Sequence, residues 1–161
     1  MKLTIEYDGT DYFGWQIQRR KPTVQGEITK VLERILEEEI TLIGAARTDS
    51  GVHALSQVAN FKTRSEKLPT GGLSKALNSL LPSDIVIKEV KEVPDSFNAR
   101  YSAKSKVYRY QILEQPFPSA LERRFSWHIP EPLDWRKIKE TSKYFIGKYD
   151  FFPFSVRGSS R

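Results

Sequence analysis

The run Ala45-Ala46-Arg47-Thr48-Asp49-Ser50-Gly51-Val52-His53-Ala54 holds the residue types in this chain that could do chemistry at close quarters. A carboxylate two residues from a guanidinium can stay ionised in a poorly solvated cleft, because the nearby cation favours its charged form. An ionised Asp49 could then serve as a nucleophile or a base. The same residues also suit a plain turn, in which Asp bonds backbone amides and Gly51 supplies positive φ. Spacing alone does not choose between these readings. A second candidate surface is formed by Tyr108 and Tyr110, alternate residues flanked by Lys104, Lys106 and Arg109. Aromatics among cations suit stacking on an exposed base with phosphates held alongside. Alternating tyrosines equally fill a core face, and the same two readings apply to Tyr7, Tyr12, Phe13 and Trp15 around Asp8-Gly9. His53 and His128 read first as structural hydrogen-bonding groups. The chain has no GxxxxGK[ST] or GxGxxG turn, so nothing suggests a nucleotide cofactor.

These groups must be positioned by regular elements. Leu3, Ile5 and Tyr7 alternate with polar neighbours, which predicts a strand over 2–7 closed by the turn Asp8-Gly9-Thr10-Asp11. Beyond the basic loop Arg19-Arg20-Lys21-Pro22, Val24, Ile28, Val31, Leu32 and Ile35 form one helical stripe behind Thr23 as N-cap. Short and longer strands are expected at 40–43 and 52–62, and a helix over 69–81 stopped by Pro82. Residues 85–93 and 106–113 read as strands, the latter with Tyr108, Tyr110 and Ile112 on one face. A last helix is expected over about 134–146, with Trp135, Ile138 and Phe145 inward and Gly147 as C-cap. The order predicts an α+β fold, a largely antiparallel sheet with helices packed on one face. The aromatic run Phe151-Phe152-Pro153-Phe154-Ser155 is too apolar to end a chain in water; where no further chain packs on it, its rings should be partly exposed or covered by another copy.

At 161 residues the chain reads as one domain spanning 1–161, large enough to bury its own core. With no cysteine, disulfides, iron–sulfur clusters and thiolate zinc sites are excluded, and two distant histidines offer little to a metal. A mean hydropathy of −0.51 and the lack of a long apolar run or signal-like start argue against membrane and secreted classes. A cytoplasmic location is expected. Charge is unevenly divided: residues 1–96 carry 13 Lys+Arg against 14 Asp+Glu, whereas residues 97–161 carry 13 against 6. The second part is also rich in aromatics, a mixture that binds bases as well as phosphates.

Taken in order, the motifs resemble those of the tRNA pseudouridine synthase A (TruA) family. The match begins with Tyr7-Asp8-Gly9-Thr10, Tyr12, Gly14-Trp15-Gln16, Gln18 and Thr23-Val24-Gln25-Gly26, and centres on Arg47 through Ala54. It continues through Asn78-Ser79-Leu80-Leu81-Pro82, Asp84-Ile85, Phe97-Asn98-Ala99-Arg100, Ser102-Ala103, Tyr108-Arg109-Tyr110 and Phe145 through Phe154. The resemblance implies a pseudouridine synthase scaffold with RRM-like halves. It implies a catalytic Asp49, with Arg47 holding that carboxylate and assisting nucleotide flipping, and Tyr108 stacking on the target uracil. Substrate contacts are expected from Tyr108, Arg100, Lys106, Arg109 and His53. The implied reaction is an isomerisation without metal or cofactor, converting uridine to pseudouridine in the anticodon stem-loop of tRNA (nucleotides 38–40), by a homodimer. An RNA-binding domain without catalysis, or an inactive fragment, is the alternative. Ala46 stands where the family usually has Gly. Family members also continue well past this length, so the resemblance implies an N-terminal, catalytic-aspartate half lacking its C-terminal half.

Overall fold

Strand β1 (Lys2–Tyr7) buries Leu3, Ile5 and Tyr7 and turns Lys2, Thr4 and Glu6 outward, the alternation that a half-buried strand requires. It occupies the middle of a four-stranded sheet in the computed structural model, which describes residues 1–65 and 69–154; Ser155 lies outside the described residues. The other strands are β2 (Ile43–Gly44), β3 (Ala54–Asn60) and β4 (Ile85–Lys91), in the order β2-β3-β1-β4 with every pairing antiparallel. Two helices close one face. Helix α1 (Val24–Leu36) starts at Thr23, whose side chain accepts the Gly26 N–H, and presents the buried stripe Val24, Ile28, Val31 and Leu32. Helix α2 (Thr70–Leu80) buries Leu73 and Leu77. These side chains join Leu3, Ile5, Tyr7, Ile85 and Ile87 in one core together with Trp15 and Phe61. The α+β sheet with helices on one face is therefore the observed architecture.

The chain separates into two compact units, Met1–Arg109 and Tyr110–Arg161, where a single domain was expected. The reason is visible in the burial: every buried hydrophobic among the described residues lies between Leu3 and Ala99. In the second unit, β5 (Ile112–Glu114) and β6 (Trp127–Ile129) form a parallel pair, and α3 (Trp135–Ser142) begins at Asp134, whose side chain accepts the Lys137 N–H. A 3₁₀ turn, Lys143–Phe145, continues that helix, and Gly147 follows at positive φ.

Three element expectations need correction. The short strand forms at Ile43–Gly44, not at 40–43, because Ile40 and Leu42 are drawn into the core. The strand expected over 106–113 is confined to Ile112–Glu114, and residues 103–111 are irregular and mostly exposed. Alternation marks a chain able to form a strand, but a strand also needs a hydrogen-bonding neighbour. Here β6, which begins beside Gln111, supplies one only from that point on. Finally, Trp135, Ile138 and Phe145 stand 49%, 41% and 53% exposed, so the stripe expected to face inward on the last helix is only partly covered among the described residues.

Candidate active site

The loop between β2 and β3 is fixed from beneath by the segment that follows β1. Trp15 N–H donates to the Thr48 carbonyl (3.0 Å), Gly51 N–H to the Tyr12 carbonyl (3.3 Å), and Val52 N–H to the Asp49 carbonyl (3.2 Å). The Tyr7 hydroxyl lies 2.7 Å from Thr48 Oγ1. Two glycines permit this approach. A Cβ at Gly9 would run into the Val52 carbonyl, and one at Gly14 into the Thr48 carbonyl; Gly14 also has φ +83°. On the other side, Gln57 Nε2 donates to the Ala46 carbonyl (2.7 Å) and Ala45 N–H to that of Val58 (2.8 Å). A β-bulge in β3 opposite Ile5 to Tyr7 turns the strand as it leaves the loop, a device common beside active sites.

Asp49 sits exposed at the apex of this held loop, with Arg47 and Ser50 exposed beside it. No enclosed cleft surrounds the carboxylate among the described residues; the adjoining residues Ser50 and Gly51 line an open groove with Thr10, Asp11, Tyr12 and Phe13. Among the described residues Arg47 and Asp49 form no ion pair with each other. His53 is half-buried and reaches the other motif: its Nδ1 accepts the Gly9 N–H (3.1 Å) and lies 3.0 Å from Asp8 Oδ1. An Nδ1 without a hydrogen accepts the Gly9 N–H, whereas an Nδ1–H donates to Asp8 Oδ1. Either way, the imidazole ties the turn after β1 to the loop after Asp49.

Two phenols under the loop are held in their neutral forms. Burial raises the Tyr7 pKa above its ordinary value, although hydrogen bonds with Thr48 and Gln57 work in the opposite direction. Tyr12 is raised much further, first by burial and then by its hydrogen bond to Asp84 and the charge of that carboxylate; Tyr12 Oη donates to Asp84 Oδ1 at 2.7 Å. Both remain donors throughout the neutral range.

Tyr108, Lys106 and Arg109 lie exposed on the irregular stretch, and among the described residues their side chains make no hydrogen bond, ion pair or ring contact. Arg100 rests its guanidinium 5.8 Å from the Tyr101 ring centroid. The structure therefore assembles Asp49, Arg47 and His53 on one loop and leaves the expected stacking group, Tyr108, apart from any contact with it. What sequence reasoning missed is the supporting role of Gly9, Gly14 and Tyr7, named there only as motif members or a candidate aromatic surface, and of Gln57. The glycines in Asp8-Gly9 and Phe13-Gly14-Trp15 were the available signal, since a glycine ahead of a buried tryptophan often marks a close backbone crossing.

A family model described as tRNA pseudouridine synthase matches residues 3–102. The chain belongs to that family. Among its relatives in the family, the protein named tRNA pseudouridine synthase A from Thermoanaerobacter sp. (strain X514) is 50% identical over 159 residues, covering 99% of this chain and 65% of its own length. That of Caldicellulosiruptor saccharolyticus is 52% identical over 157 residues, covering 98% and 64%. The protein named tRNA pseudouridine synthase A 2 from Clostridium perfringens (strain 13 / Type A) is 48% identical over 160 residues, covering 99% and 65%. The chain thus spans about 65% of the length of such pseudouridine synthases. Among the described residues no helix is long and apolar enough to cross a membrane, and no group of three or more His, Asp or Glu side chains could hold a metal.

Proposed function

We propose that this chain is the aspartate-bearing, N-terminal part of a tRNA pseudouridine synthase, an isomerase that converts uridine to pseudouridine in the anticodon stem-loop. The observation that carries the reading is Asp49 exposed at the apex of a loop whose backbone is held by Trp15, Tyr12 and Tyr7. Rigid support of a solvent-facing carboxylate is what an incoming nucleotide needs, because the reacting groups must meet without the loop reorganising. A base in a stem must first leave the stack. The N1–C1′ bond then breaks, the uracil turns, and a C5–C1′ bond forms while the C5 proton is released and N1 takes one up. Asp49 is the anionic nucleophile or base in that sequence, Arg47 assists flipping, and Tyr108 closes on the detached uracil. Arg100, Lys106, Arg109 and His53 complete the substrate contacts. The additional length of the relatives supports a cleft whose second wall comes from further chain, and a cytoplasmic homodimer is the proposed assembly.

Asp49→Asn tests the reading in the full-length protein. The amide keeps the shape but is not an anion, so release of tritium from C5-labelled tRNA should fall by ~10³-fold or more, since removal of a catalytic nucleophile or base costs on that order. Binding of tRNA should stay within a few-fold. Turnover by a variant shown free of deamidation would remove Asp49 from this role. Wild-type protein that binds tRNA yet releases no tritium would favour the RNA-binding alternative.

A further inference from the structure

Residues 1–96 carry a slight excess of acid, yet three of their cations, Arg19, Arg20 and Lys21, stand in a row on an exposed hairpin. The hairpin is firmly held at its base. Gln18 and Lys21 form an antiparallel bridge, Gln18 Nε2 donates to the Phe13 carbonyl (2.7 Å), and Phe13 N–H donates to the Pro22 carbonyl (2.9 Å). Gln25, buried at the start of α1, accepts the Ile17 N–H (2.9 Å) while its Nε2 donates to the Leu42 carbonyl (2.8 Å). The tip is therefore anchored to the core and not a loose loop.

Two features distinguish the tip. Arg20 has φ +62°, the left-handed conformation taken at the centre of the tight turn between Gln18 and Lys21, which points its side chain out from the tip. Among the described residues none of the three cations has an acidic partner, so adjacent like charges are left uncompensated. The Lys21 ammonium instead lies 4.5 Å from the centroid of the Phe13 ring. Phe13, 44% exposed, lines the groove that also contains Ser50 and Gly51, the two residues after Asp49. One hairpin thus presents an aromatic face at the groove and a row of cations beside it.

We propose that this hairpin is an RNA-contact site, in which Arg19 and Arg20 hold backbone phosphates next to the nucleotide presented to Asp49, and Phe13, braced by Lys21, stacks on a base in the groove. The proposal rests on the reading that RNA is the substrate. It favours RNA over an acidic peptide because the ring lines a groove with Ser50 and Gly51, next in sequence to Asp49, where a base has a use for it.

The test is tRNA binding by the full-length protein across a range of salt concentrations. The double variant Arg19→Gln/Arg20→Asn removes both charges, and Asn tolerates the left-handed backbone at position 20. The slope of log affinity against log salt should become shallower by roughly 0.7–0.9 for each phosphate that the variant no longer neutralises. Phe13→Ala should weaken binding about 5- to 150-fold, the range expected for one base–aromatic stack. Lys30→Gln/Lys75→Gln, which removes two helix cations, should leave the slope as in the wild type. An unchanged slope in the hairpin variant with an intact circular dichroism spectrum would overturn the proposal. So would an equal change in the helix control, which would reduce the effect to net charge. Wild-type protein with no measurable tRNA affinity would remove both this proposal and the reading beneath it, whereas the first two outcomes remove the hairpin alone.

Discussion

The two units differ in what they do with apolar side chains. In Met1–Arg109, Leu3, Ile5, Trp15, Ile28, Leu32, Phe61, Leu73 and Ile87 are fully or almost fully buried in one core. In Tyr110–Arg161, Trp127, Tyr144, Phe145, Ile146 and Phe154 are each more than half exposed. Phe145, Phe151 and Phe154 meet one another, with Phe145 stacked on Phe151 (6.3 Å between centroids) and edge-on to Phe154 (5.9 Å), but their outer faces are open. The first unit closes its core between sheet and helices and uses that rigidity to hold a loop. The second is an aromatic surface over two short strands and a helix. Side chains that are already half exposed leave the local fold with little to lose when one ring is removed.

If the first unit depends on a closed core, Trp15 is where it should fail most. Trp15→Ala removes a ring that is 1% exposed and packs 6.1 Å from Tyr7 under the loop, so thermal or urea unfolding should show a loss of ~3–5 kcal/mol. A loss below about 1 kcal/mol would mean that the first unit's core does not depend on this ring. Gly14→Ala comes next. The new methyl would meet the Thr48 carbonyl at a backbone φ of +83°, and the left-handed conformation alone costs about 1–2 kcal/mol. Its larger effect should be on turnover, since the displaced backbone carries Asp49.

Tyr7→Phe probes the same support more gently. It removes only the hydroxyl that meets Thr48 Oγ1, so stability should fall by about 0.5–1.5 kcal/mol. A pH effect accompanies it. Because the folded state keeps the Tyr7 and Tyr12 protons more tightly than the unfolded chain does, stability is fully present below the ordinary tyrosine value of about 10 and declines as pH rises beyond it. The Tyr7→Phe protein should show a shallower alkaline decline, and an unchanged decline would assign the effect to Tyr12. The smallest stability change belongs to the second unit. Phe145→Ser/Phe154→Ser should cost no more than about 0.5 kcal/mol per site, the usual range for exposed positions. Residues 1–161 by themselves should sediment as a concentration-dependent mixture, and this variant should be closer to one species. A monodisperse parent would show that the open rings carry no association.

Much of the first unit was legible in the sequence because its signals are local. Leu3, Ile5 and Tyr7 alternate, and Val24, Ile28, Val31 and Leu32 repeat at helical spacing behind a capping threonine; the structure realises both elements at the expected places. The polar run at 45–54 was equally plain as a loop between strands, and its order among the other motifs pointed to the family. The stretch with Tyr108 and Tyr110 was not legible in the same way. Its alternation is as regular as that of β1, yet it stays irregular, because side-chain period says which face a residue would take and not whether a neighbouring strand is there to receive it.

Residue order was enough to specify the elements with a self-contained pattern and the family the chain belongs to. How the candidate side chains are held came from the folded arrangement. That Gly9 and Gly14 let one segment lie against another more than thirty residues away, that Tyr7 reaches Thr48, and that Phe13 lines one groove with Ser50 and Gly51 are facts of chain crossing. No local period encodes a crossing. It is fixed by close packing of the whole core, in which each glycine, hydroxyl and ring is selected by what arrives next to it from elsewhere in the chain.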